Sequence, residues 1–174
     1  MTTAQLDRTE RASSQEADTT TEQLPQGDLG LLDHPVAQEL LHSAIPARVG
    51  YIALDGTPRV TPAWFTWNGQ EIIIGSAGTS QKVRALQADP AIAVTIDSDT
   101  APYKVLSIRG RAEVRMVEGA VEEYADSALR YFDPDQGARF RDHARATFSG
   151  MARIAVKPEW VGLIDFVTRF PSNH

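Results

Sequence analysis

The densest chemistry in the chain lies at positions 76–84, SAGTSQKVR, where small and hydroxyl residues lead into a helical pattern carrying Lys82 in its first turn. The start of a helix offers unpaired N–H groups and the positive end of its dipole, and both favour an anion. Ser76, Thr79, Ser80, Gln81 and Lys82 therefore form a candidate cradle for a phosphate. The same residues also read as a plain helix cap followed by a solvated lysine. A second candidate is Arg59-Val60-Thr61-Pro62, because a proline inside a strand removes a ladder donor and leaves an edge, a bulge or a backbone facing a ligand.

Other chemistries lack their residues. The glycines at 75 and 78 match neither the Walker lysine spacing nor G-x-G-x-x-G. With no cysteine and four scattered histidines there is no metal-binding pattern, and His34, His42 and His143 stand apart from any triad arrangement. No catalytic side chain and no metal ligand is expected. Arg109, Arg111 and Arg115 alternate with Glu113, which reads as a screened surface ladder before it reads as an anion groove. Trp64 and Trp67 fall on opposite faces of a strand, and core packing is the expected role of each. A net charge of −6 gives no general attraction to nucleic acid or to an anionic membrane. The sequence shows no secretory leader and no apolar run long enough to span a bilayer, so a cytoplasmic protein is expected.

These candidates need a scaffold. Residues 1–30 are polar, free of aromatics and too poor in apolar side chains to offset ordering, so they read as a disordered tail; residues 31–174 read as one domain. Asp33 stands as an N-cap before Pro35 and the apolar Val36, Leu40 and Leu41. Strand-favouring runs at 48–54, 59–67 and 71–75 are separated by Asp55-Gly56 and Asn68-Gly69, the dipeptides of tight hairpins, and so predict a three-stranded meander. Thr79 or Ser80 caps a helix bearing Val83 and Leu86, which stops before Asp89-Pro90. Ile92, Val94 and Ile96 alternate in a strand, and a longer one at 104–116 puts Leu106, Ile108, Ala112, Val114 and Met116 on one face. Helices at 118–132 and 136–148 flank Asp133-Pro134, and two β-runs at 151–156 and 160–166 flank Pro158, which is expected to stay in the connection. The result is a mainly β fold with short helices, an antiparallel barrel in preference to a βαβ layout.

Taken in order, GYIALDGTPRVTPAWFTW from Gly50, GTSQKVRALQADP from Gly78 and IRGRAEV from Ile108 resemble the pyridoxamine 5′-phosphate oxidase-like superfamily of flavin- and deazaflavin-dependent oxidoreductases. The resemblance implies an antiparallel split β-barrel of the FMN-binding type, paired as a homodimer with cofactor sites at the interface. It implies FMN as cofactor, with coenzyme F420 as the rival. Arg59, Val60, Thr61 and Pro62 would pass along the cofactor ring, and Ser76, Thr79, Ser80, Gln81 and Lys82 would hold its phosphate. Lys82 is the best match, whereas Ser80 stands where many relatives carry arginine. True pyridoxamine 5′-phosphate oxidases end in an Arg-Leu-x-Pro-like segment, and FVTRFPSNH here departs from it, so vitamin B6 oxidation is not implied. The implied activity is hydride transfer to or from a small organic substrate; the alternative is a carrier or sensor binding flavin, F420 or haem without turnover.

Overall fold

The computed structural model describes residues 24–171, and the expected polar tail lies outside them as far as position 23. Seven strands form one antiparallel sheet: β1 (Ala47–Ile52), β2 (Pro58–Ala63), β3 (Thr66–Trp67), β4 (Ile72–Ala77), β5 (Ala91–Asp97), β6 (Val105–Glu118) and β7 (Gly150–Ile164). Their order across the sheet is β2-β1-β5-β6-β7-β4-β3. A 3-10 helix (Leu29–Asp33) and four α-helices accompany it among the described residues: α1 (Pro35–Leu41), α2 (Gln81–Ala88), α3 (Glu122–Tyr131) and α4 (Pro134–Thr147).

Both Asx-Gly hairpins form, with Gly56 at φ +77° and Gly69 at φ +95°. The meander does not. β2 pairs only with β1 and β3 only with β4, so the two hairpins lie at opposite edges of the sheet. The run at 59–67 breaks at Trp64 and Phe65, because tertiary contacts described below hold those residues out of the ladder. This break fixes the architecture. Two residues join the outermost strands, and a chain reaches at most about 3.6 Å per residue, so the sheet must curl until its edges nearly meet. A split β-barrel follows, open along the seam at Trp64 and Phe65.

The core inside the curl includes Val49, Phe65, Ile72, Ile74, Val83, Leu86, Val94, Ile96, Leu106, Ile108, Ile154, Val161 and Leu163, none more than 1% exposed. Each such side chain contributes about 1.5–3 kcal/mol by leaving water. In β6 the alternating face holds as far as Val114, which is partly buried against the core, but Met116 is 56% exposed and lies over Gly78 instead of entering the core.

The C-terminal β-runs are one continuous strand, with Pro158 inside β7 instead of in a connection. It is accommodated because the β6/β7 register shifts at Arg109/Gly110 and because pairing with β4 has ended at Val156. Gly110 is required there, since a side chain would strike the Lys157 carbonyl. Beyond Val156 the free edge of β7 is covered by a segment expected to be tail. Gln26 exchanges two hydrogen bonds with the Leu163 backbone (2.6 and 2.8 Å), and Gly27 N–H donates to the Val161 carbonyl (2.7 Å). Leu24, ahead of the expected domain start at Leu31, also packs against the core.

Two caps differ from expectation. His34, not Asp33, caps α1, its Nδ1 accepting from Val36 N–H at 3.2 Å. Ser80 caps α2 by accepting from Val83 N–H at 3.3 Å, while Thr79 is exposed. Helices α3 and α4 enter between β6 and β7 and pack on each other, with α3 over β4 and β3.

Candidate functional site

The seam is fastened from α3. Arg130 donates to the Phe65 and Leu41 carbonyls and to the Tyr131 hydroxyl, and Thr66 Oγ1 donates to the Glu123 carbonyl at 3.1 Å. Trp64 stacks on Tyr131 with centroids 4.9 Å apart and on Tyr124 at 5.9 Å, with Phe132 and Phe140 at its edges. Tyr124 and Tyr131 are seven residues apart, two turns on one helix face. The Trp64 ring is therefore held against a row of aromatics instead of swinging in the opening.

Beside this cluster lies a cavity of about 470 Å³, lined by Pro46, Pro62, Ala63, Trp64, Gly75, Lys82 and Tyr124. It unites the two stretches singled out in sequence, since Pro62 comes from β2 and Lys82 from the first turn of α2. Gly75 admits Tyr124: a Cβ at position 75 would lie 2.5 Å from the tyrosine Cβ. Lys82 is half-buried and, among the described residues, pairs with no carboxylate. Burial holds its ammonium below the usual lysine range and holds the Tyr124 phenol above its own, so both press toward the neutral form. Ser76 Oγ and Ser80 Oγ meet at 3.1 Å near the end of β4 and the start of α2. Thr61, next to Pro62 on β2, buries its hydroxyl with no hydrogen-bond partner among the described residues, although it is not part of the cavity lining.

The other candidates spread along β2 and α2. Arg59 sits at the exposed end of β2, paired with Asp55 at 2.9 Å, and with Gln81 it lines a separate hollow of about 210 Å³ that also contains Arg84. Val60 is 68% exposed on the opposite face, in a hollow with Arg109 and Arg111. Thr79 lines neither the Pro62–Lys82 cavity nor the Arg59–Gln81 hollow.

On the basic face, Arg115 pairs with Glu113 at 2.6 Å as a surface ladder requires, whereas Arg109 stacks on Trp160 at 4.0 Å. Trp67 is buried in the core, but Trp64 serves the seam and the cavity wall. Pro46 and Tyr124 were not among the candidates, and Gly75 entered only through a glycine pattern that matched no nucleotide motif. Tyr124 lies within the helix expected at 118–132, and nothing local ties that helix to Gly75.

Residues 34–165 match the pyridoxamine 5′-phosphate oxidase family. No curated protein matches the chain. Among solved structures, an F420 reductase is 25% identical at a TM-score of 0.55, over 72% of this chain and 94% of that one. A conserved hypothetical protein from Mycobacterium tuberculosis superposes at 0.61 with 19% identity, covering 78% and 87% of the two chains. A protein related to general stress protein 26, of the pyridoxinephosphate oxidase family of Clostridium acetobutylicum, superposes at 0.53 with 14% identity, covering 75% and 87%. The last two share the fold alone. With a family match spanning the barrel from α1 to the end of β7, the chain belongs to the pyridoxamine 5′-phosphate oxidase family.

Proposed function

We propose that the seam cavity holds a flavin-type cofactor, FMN or coenzyme F420, and that the protein is an oxidoreductase moving a hydride between that cofactor and a small organic substrate. The observation that carries this reading is the meeting of Pro62, Lys82 and the Trp64–Tyr124 wall around one cavity. The residues fit such a group in three respects. Lys82 is a desolvated cation without a carboxylate partner among the described residues, and a phosphate would neutralise it. Thr61, adjacent to the lining residue Pro62, has a buried hydroxyl that lacks a partner among the described residues. Ser76 and Ser80 hydroxyls stand at the start of the helix that carries Lys82.

In this reading Lys82, Ser76 and Ser80 hold the phosphate, while Thr61 and Pro62 border the ring. Trp64 and Tyr124 exclude water from one side. The bound cofactor supplies the hydride, and the protein supplies position and electrostatics. No acid–base pair of the chain is required.

F420 is favoured over FMN by one further observation. Lys82 is the one cation lining the cavity among the described residues, and a phosphodiester carries a single negative charge where a phosphomonoester carries nearly two. The similarity to an F420 reductase points the same way. A homodimer is supported by the open sheet face, where exposed Ile52 and Val60 border a hollow floored by Gly50, Ala91, Ala93 and Gly110, residues small enough for a second sheet to approach.

The test is titration of the purified protein with FMN and with F420, followed by incubation of the reduced complex with quinone, nitroaromatic and tetrapyrrole acceptors. Binding with turnover is expected. Binding without oxidation by any acceptor would instead make the protein a carrier, and binding of neither cofactor would remove the reading.

A further inference from the structure

A gap interrupts the cover of β7. β4 pairs with it only as far as Ile72 and Val156, and the N-terminal segment takes over at Val161, where Gly27 N–H donates to the carbonyl. Across residues 157–160, about 13 Å of strand at 3.3 Å per residue, no strand pairs with this edge among the described residues. β6 holds the other side. The gap opens into a cavity of about 830 Å³ between β7, the turn after Trp67, the 3-10 helix and the end of α1 at His42. It shares no lining residue with the seam cavity.

The lining points to one kind of ligand. Asp33 and Lys157 put opposite charges on the same cavity, yet neither forms an ion pair with the other or with any described residue. Charges held apart in this way suit a molecule with an ammonium at one end and a carboxylate at the other. Amides on the lining are also unspent. Asn68 Oδ1 accepts from the Gln70 and Glu71 N–H groups (2.9 and 2.7 Å) and Gln38 Nε2 donates to the Leu32 carbonyl (2.7 Å), which leaves Asn68 Nδ2, Gln38 Oε1 and the Gln70 side-chain amide without a partner among the described residues. Such donors and acceptors match a peptide bond. Trp67, Leu29, Leu32 and Pro158 add apolar surface for a side chain. An uncovered strand edge is itself a seat for an extended chain. Pro158 has no N–H to offer there, so the charges and amides carry most of the recognition.

We propose that this gap is a binding site for a short peptide of two or three residues with both termini free and an apolar side chain. A tripeptide extends about 10 Å and so fits within the gap. Asp33 takes its ammonium, Lys157 its carboxylate, and the amides of Gln38, Asn68 and Gln70 its peptide bonds. The site stands apart from the cofactor reading, because its ligand lies outside the seam cavity and binds without a cofactor.

The experiment is calorimetric titration of the purified protein with the tripeptide Ala-Leu-Ala, with its N-acetyl form and with its C-terminal amide. Asp33 and Lys157 are exposed, so the wild type is expected to bind the free tripeptide about fivefold more tightly than either capped form, as one screened charge pair would give. Both preferences shrink as salt rises. Asp33→Asn removes the preference over the acetylated form and keeps that over the amide, and Lys157→Gln does the reverse. Neither variant disturbs the fold, since His34 caps α1 and Lys157 forms no ion pair among the described residues. No binding of the free tripeptide at millimolar concentration overturns the proposal. Equal affinity of the wild type for free and capped forms also overturns it, as does a loss in either variant that falls equally on all three peptides.

Discussion

Trp64 and Tyr131 stack with ring centroids 4.9 Å apart and planes 7° from parallel. One ring belongs to the two-residue link between the edges of the sheet and the other to the helical insertion, so the pair ties the opening of the barrel to α3. Replacing either ring by leucine loosens this tie. A double-mutant cycle of Trp64→Leu and Tyr131→Leu in urea denaturation is expected to give a coupling of about 0.5–1.5 kcal/mol, the range for aromatic pairs. Additive effects would mean that the rings only fill space.

Gly75 is a site of close approach, since any side chain there meets the Tyr124 Cβ and Cγ. Gly75→Ala is expected to lower stability by about 1–3 kcal/mol, as overpacking does, and to weaken cofactor binding because Tyr124 lines the same cavity. Chemical denaturation and a binding titration on the same sample check both effects. A neutral substitution would show that α3 does not rest on β4.

Asp165 organises the chain after β7. Its carboxylate accepts hydrogen bonds from the N–H groups of Val167, Thr168 and Arg169 and from Thr168 Oγ1. Burial alone would raise its pKa, but these bonds outweigh burial and bring it from 3.8 to about 2. The folded value lies below the unfolded one, so the stabilisation is present above pH 3.8 and is lost as the pH falls toward about 2. Asp165→Asn is expected to cost about 2 kcal/mol near neutral pH and progressively less in acid. Denaturation midpoints across that window test the slope.

Lys82 has the opposite consequence for stability. Desolvation depresses its pKa below 10.5, so the unfolded chain holds this proton to higher pH than the folded one. The penalty is full below the depressed value and fades as the pH rises toward 10.5. Lys82→Met is expected to stabilise the cofactor-free protein at neutral pH, with the gain shrinking in alkaline solution. A loss of stability at neutral pH would mean that the ammonium has a partner in the fold.

What the sequence disclosed followed the range of the forces involved. Asp55-Gly56 and Asn68-Gly69 set their hairpins locally, through backbone conformations that few other residues accept, and both were legible. The meander was not, because the break at Trp64 and Phe65 depends on Arg130, Tyr131 and Glu123, more than fifty residues away. Pro158 was misread for the same reason: a proline is excluded from a ladder unless its strand bulges or its edge is free, and the bulge, which leaves Glu159 of β7 without a partner on β6, forms opposite Arg109 and Gly110 of another strand. Lys82 and Pro62 were each visible as local irregularities. Their meeting in one cavity, and the presence of Tyr124 beside them, depended on how the sheet curls.

The central claim is that Lys82 anchors a flavin-type cofactor in the seam cavity, and its most direct test is the affinity of the wild type and of Lys82→Ala for FMN and F420, measured by absorbance or fluorescence titration. The wild type should bind at least one of them, and Lys82→Ala should weaken that binding by about 1.5–3 kcal/mol, the loss of a charge-assisted contact to phosphate. Unchanged affinity in Lys82→Ala, or a wild type that binds neither cofactor, would contradict it.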